Sequence, residues 1–183
     1  DIAESDAGRL REAYAGEDED ARLGALRGLW KDARGPRDRY ATAVLTARAA
    51  ARITPDDDHA DDAAALIGAM VSAGLDLQAA RWAGVVGAMD AADADPAWAI
   101  LAVATPRPVV DLGEGRINGF VDRAGEAGAH KARMLVAALA AWSGAEVRLC
   151  RSLPVVSARH NYDRLYYPPE GVARDLTNNQ SKP

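Results

Sequence analysis

Residues 54–89 read TPDDDHADDAAALIGAMVSAGLDLQAARWAGVVGAM. Leu66, Ile67, Met70 and Val71 recur at the three- and four-residue steps that place side chains on one side of an α-helix, and Trp82, Val85, Val86 and Met89 do the same further on. Between these stripes Gly74 followed by Leu75 is the pattern of a Schellman ending with its hydrophobic follower, and Asp76 stands where it can cap the next helix. A turn this short folds two helices back on each other as an antiparallel hairpin. Upstream, Thr54-Pro55-Asp56-Asp57 combines a capping hydroxyl, a helix-starting proline and carboxylates suited to the positive end of the helix dipole, so the first helix of the pair is expected to begin there.

The same punctuation extends in both directions, giving eight expected helices between residues 4 and 144. Glu19 to Ala33 carries Leu23, Leu26 and Trp30 on one face and stops at Gly35-Pro36. The next helix runs to about Ile53, with Tyr40, Val44, Ala47 and Ala51 as its expected apolar face. Asp95-Pro96 is read as the start of a short helix holding Trp98 and Leu101 and ending before Pro106. Asp111 to Glu114 fits a capping box for a seventh helix with Ile117, Phe120 and Val121. Gly128 to Ser143 is the eighth, with Leu135, Leu139 and Trp142 on one face. Each tryptophan lies in such a stripe, where a large ring among alanines supplies much of the buried area.

Fold class follows: all-α, antiparallel helical hairpins stacked as a short α-solenoid or multi-helix array. Three Ala-Gly then Ala-Arg pairs, at Ala15-Gly16 with Ala21-Arg22, Ala73-Gly74 with Ala80-Arg81, and Ala124-Gly125 with Ala132-Arg133, suggest an internal repeat at unequal spacing. Composition marks one boundary. Of 41 alanines, 38 precede residue 145, which separates an Ala-rich helical domain, 1–144, from a Tyr- and Pro-containing arm, 145–183, that is expected to be mostly non-helical. The arm carries a formal charge of +2 within a chain of net −5. In it Val147, Leu149 and Arg151 alternate as a short extended segment would.

An acidic chain is a poor candidate for nucleic acid, and its richest apolar stretch, Met134 to Trp142, is too short to span a bilayer. A single cysteine, Cys150, excludes an internal disulfide framework and leaves bacterial cytoplasm and periplasm both compatible. Arg outnumbers Lys 19 to 3, as in chains from GC-rich bacterial genomes. Asp1, without a preceding Met, fits either a mature terminus or a piece of a longer chain.

No catalytic, cofactor or metal residue is assigned. The Asp56, Asp57, Asp58, His59, Asp61, Asp62 cluster offers oxygen and nitrogen ligands to a divalent ion, yet lacks the glycine and terminal glutamate of a calcium loop and reads first as helix capping. Glu17 to Asp20 reads likewise as a solvated cap. His130 beside Glu126 has no nucleophile placed near it, Cys150 with His160 matches no thiol-imidazole signature, and Gly113-Glu114-Gly115 with Gly119 lacks the preceding strand of a phosphate loop. The most informative stretch is His160 to Pro169. Tyr162, Arg164, Leu165, Tyr166 and Tyr167 are residue types enriched at binding hot spots and too aromatic for a solvated linker.

The expected function is therefore a protein-interaction or scaffold module that engages a protein partner, or another copy of itself, through its helical surface and this arm. Two alternatives stand beside it: a small helical enzyme with a metal or acid–base site at Asp56–Asp62 or at Glu114 or Glu126, and a helical accessory region of a larger bacterial envelope or phage protein.

Overall fold

The structure, a computed structural model, describes residues 5–105 and 107–143, without the side chains of 141–143. Helices make up all of its regular structure: α1 (Asp6–Ala15), α2 (Glu19–Asp32), α3 (Gly35–Ala50), a 3-10 turn (Asp57–Asp62), α4 (Ala63–Ser72), α5 (Asp76–Ala80), α6 (Ala83–Ala88), α7 (Ala91–Ala104) and α8 (Glu114–Ser143). No strand occurs among the described residues, and none of their helices is long and apolar enough to cross a membrane. The packing described here lies within one unit, Asp1–Leu139.

Side chains that accept from the first free amides start the first two helices. The Ser5 hydroxyl accepts from the Gly8 N–H at 3.2 Å, and the Asp18 carboxylate from the Ala21 N–H at 2.7 Å. Four contacts then fix direction. Arg9, early in α1, pairs with Asp32 at the end of α2, while Arg22 Nη1 donates to the Gly16 carbonyl at the opposite end, so α1 and α2 run antiparallel. Glu19, at the start of α2, accepts from the Thr54 amide just beyond α3, which sets α3 antiparallel to α2. The Tyr14 hydroxyl donates to the Leu45 carbonyl at 2.8 Å, bringing the ends of α1 and α3 together.

α4 packs on α3 on one side and on α7 on the other. Leu66, Ile67 and Met70 are fully buried, as the sequence reading of this stripe expects, and Val71 is half-buried. Its end is the expected Schellman motif: the Leu75 N–H donates to the Met70 carbonyl at 2.9 Å and the Gly74 N–H to the Val71 carbonyl at 3.0 Å, with Gly74 at φ +73°. The predicted beginning is different. Residues 54–56 are not helical, the acidic run forms the 3-10 turn, and the Asp56 carboxylate accepts from the Asp58 N–H at 3.0 Å instead of capping a long helix. Asp76 is the first residue of α5 and makes no capping bond. Trp82, Val85 and Val86 are buried and Met89 half-buried, but the single helix expected from Asp76 is split into α5 and α6: Trp82 stands at the joint, Val85 and Val86 lie in α6 and Met89 caps its end.

The inner side of α3 corrects the sequence reading most clearly. Of the expected face, Tyr40 is 63% and Val44 39% exposed and Ala51 is half-buried; Ala47 is buried as expected, but beside Thr46, Ala49 and Ala50. α3 and α4 share the most extensive helix–helix contact, and only small side chains let the backbones approach that closely. Thr46 fits because its hydroxyl is satisfied: it donates to the Thr42 carbonyl at 2.7 Å and accepts from the Trp30 indole N–H at 2.9 Å.

Downstream, α7 starts five residues before Pro96, which lies inside the helix and does not open it. Trp98 and Leu101 are buried as expected and the helix does end before Pro106. The capping box at Asp111 does not form; its carboxylate accepts from the Gly113 N–H at 2.7 Å, an Asx turn, and α8 begins at Glu114. The expected seventh and eighth helices are the two halves of α8, broken at Gly125, whose φ of +56° and ψ of −163° only glycine adopts readily. The three Ala-Gly turns are not alike, since Gly16 sits at φ −55°. Trp142's side chain and the whole of 145–183, including the Val147–Arg151 segment, lie outside the described residues.

Candidate functional site

The residues singled out from the sequence are dispersed. Tyr162, Arg164, Leu165, Tyr166 and Tyr167 lie outside the described residues, as do Cys150 and His160. In the acidic cluster, Asp62 is engaged by Arg27, whose Nε donates to both carboxylate oxygens at 2.9 and 3.1 Å, and this hydrogen bond, helped by the opposite charge, holds the guanidinium pKa above its usual value. Among the described residues no three His, Cys, Asp or Glu side chains converge as a metal ion requires. Glu114, Glu126 and His130 are exposed on α8, and Gly115 and Gly119 lie within that helix. The Glu17–Asp20 run divides its work: Asp18 caps α2 and Glu19 reaches the Thr54 amide.

One polar cluster emerges that the sequence reading does not anticipate. Asp95 Oδ1 accepts from Arg116 Nη1 at 2.6 Å, and Asp95 Oδ2 from Arg123 Nε at 2.8 Å. The Arg116 guanidinium lies over the Trp98 ring, 4.1 Å from its centroid, and Phe120 meets the same ring at 5.3 Å. The Trp98 N–H donates to the Asp111 carbonyl at 2.8 Å. These contacts tie the first half of α8 to α7, a structural role. Burial pushes the Asp95 carboxyl pKa up, but the hydrogen bonds from Arg123 and Arg116 outweigh it and leave the value depressed. A depressed carboxylate contributes stability that is fully present above the unfolded-state value of about 4 and is lost as pH falls through the folded-state value. Asp95→Asn is therefore expected to destabilise the chain by roughly 1–3 kcal/mol at pH 7, through the loss of both arginine pairings, and by less at pH 3. Urea titrations at the two pH values check this, and a gap that fails to narrow in acid contradicts it.

The outer side of α3 is the better candidate for recognition. Of the six large apolar or aromatic side chains exposed among the described residues, three, Tyr40, Val44 and Leu45, occupy this helix. The other three, Leu77, Val109 and Met134, are scattered over separate elements. Arg37, Ala41, Val44 and Arg48 follow one another at three- and four-residue steps, so they line a single meridian of α3, with Tyr40 on one flank and Leu45 on the other. Arg37 and Arg48 are exposed and make no hydrogen bond or ion pair among the described residues. The one acidic residue of the helix, Asp38, is already used: it accepts from the Arg34 N–H at 2.6 Å.

Beside Leu45 a cavity of about 280 Å³ opens between α1, α2 and α3, with Leu10, Leu29, Thr46 and the carboxylates Asp6, Asp32 and Asp38 in its lining. Arg9 keeps the Asp32 carboxyl below its ordinary pKa, chiefly through their hydrogen bond. The arginines flanking Val44 were legible in the sequence as a periodic set, but weighting the larger side chains as core assigned that face to the interior.

No protein-family model matches the chain, and neither a curated protein nor a solved structure matches it.

Proposed function

We propose that this chain is a protein-binding scaffold module whose recognition surface is the outer side of α3. The observation that carries this reading is the concentration of exposed apolar surface there, framed by arginines with no partner among the described residues, on a helix whose inner side is closely packed. Contiguous apolar surface rimmed by polar groups is a mark of interaction sites, and tyrosine and arginine are the anchors such sites favour. The antiparallel course of α1, α2 and α3 supports the finer architectural proposal, a short stack of hairpins in the manner of a solenoid, which holds successive helices rigid and presents their outer faces. The arm 145–183 enters as a second contact on composition alone, through Tyr162, Arg164, Leu165, Tyr166 and Tyr167.

Selection of a displayed random-peptide library on the full chain tests the reading. Enriched peptides are expected to lose at least about tenfold in affinity against Val44→Asp, equivalent to 1.4 kcal/mol, while circular dichroism confirms that the variant keeps its helices. Removal of residues 154–183 is expected to weaken the same peptides further and to leave the helical signal of α1–α8 in place. A library that yields no binder, or binders indifferent to Val44→Asp, overturns the proposal.

A further inference from the structure

Resting on the binding-module reading, we infer that the occupant of the α3 outer face is an acidic, amphipathic α-helix belonging to a different chain. Arg37 and Arg48 stand eleven residues apart on one meridian, about 16 Å along the axis at a rise of 1.5 Å per residue, with Ala41 and Val44 between them. An apolar centre between two cations calls for a ligand that offers apolar side chains between two carboxylates at matching separation. Arginine is suited to such pairing because its guanidinium meets a carboxylate through two parallel hydrogen bonds. A helix laid along α3 supplies both from its own three- and four-residue repeat. An added strand does not, since α3 is a helix whose backbone groups between its ends are bonded within it and expose no free edge.

Charge decides among the possible occupants. A second copy docking α3 on α3 brings arginine against arginine: antiparallel pairing faces Arg37 with Arg48, and parallel pairing faces each with itself. The chain's own 145–183 segment carries a formal +2 and is no better a complement. A foreign acidic helix sets carboxylates, not guanidinium groups, against Arg37 and Arg48, and this local attraction steers it to the face against the chain's net negative charge.

The test is fluorescence anisotropy with two labelled synthetic peptides titrated by the full chain. Both carry leucine at the i, i+3, i+4, i+7 repeat; one has glutamate at the flanking positions and the other lysine. The acidic peptide is expected to bind at least tenfold more tightly than the basic one, with affinity falling as salt rises. The double variant Arg37→Glu, Arg48→Glu, with unchanged circular dichroism, is expected to invert that preference. Equal affinity for the two peptides, a preference that survives the double charge reversal, or dimerisation of the parent chain abolished by Val44→Asp overturns the inference. If neither peptide binds while the displayed library yields Val44-dependent ligands, the inference fails and the binding-module reading stands; a barren library removes both.

Discussion

Trp82→Ala is expected to cost roughly 3–5 kcal/mol of folding stability, the range for removing a buried tryptophan from a core. The ring is 1% exposed and lies at the joint between α5, five residues long, and α6, six residues long. Helices this short are not stable in isolation, because the cost of nucleating a turn is not recovered over so few hydrogen bonds. They persist through what they bury, and Trp82 is the largest side chain they hold out of water. Losing it should shift the melting temperature down by on the order of 10 °C for a chain of this size. Trp82→Phe, which keeps an aromatic ring in the site, should lose markedly less. A thermal melt of Trp82→Ala within about 2 °C of the parent would show that the joint is held by something else.

Trp98→Ala should cost a similar 3–5 kcal/mol, but with a local signature. Trp98 is 2% exposed and has three partners at once: the Arg116 guanidinium over its face, Phe120 beside it and the Asp111 carbonyl at its N–H. All three belong to α8 or to the segment leading into it, so the indole fastens the first half of that helix to α7. Amide hydrogen exchange is expected to accelerate over residues 114–124 in Trp98→Ala before it does elsewhere. Trp98→Phe retains ring contact and gives up the bond to Asp111, for a loss of about 1 kcal/mol plus the smaller burial. Uniform acceleration across α3 and α4 as well would refute the fastening role.

What could be read from the sequence, and what could not, divides along physical lines. The buried stripe of α4 and its Gly74 ending were legible because a Schellman turn needs a left-handed residue and a hydrophobic follower, a combination with few competitors. Helix starts were less legible. Asp56 and Asp111 each carry the side chain of a good cap, and each uses it in an i to i+2 turn, since a short carboxylate serves an Asx turn as readily as a helix. Pro96 misled in the same way: proline favours the first helical position, but an upstream run of Ala91 and Ala92 has enough propensity to begin the helix earlier. The break after Ala80 was invisible, because Trp82, Val85, Val86 and Met89 keep the same period through the joint.

At the candidate site the failure was one of size. The expected face joined Tyr40 and Val44 to Ala47 and Ala51, and a preference for the bulkier pair turned it toward solvent: Ala47 is buried, but its buried neighbours are Thr46, Ala49 and Ala50. The partner across the helix decides which side is inner. Thr46 receives the Trp30 indole bond, a contact between residues sixteen apart that no local pattern contains. The Asp95 cluster was hidden for the same reason, as its arginines arrive from the far side of the α7–α8 connection.

The alanines buried along α3 also bear on how such a chain can diverge. Ala47, Ala49 and Ala50 are already nearly the smallest residues available, so almost any missense change there adds volume, at a penalty of roughly 1–3 kcal/mol for each poorly accommodated enlargement. Variation should therefore be purged from that side by the demands of folding alone, whereas at Tyr40, Val44 and Leu45 the fold sets no such limit and only what the outer face binds restrains change.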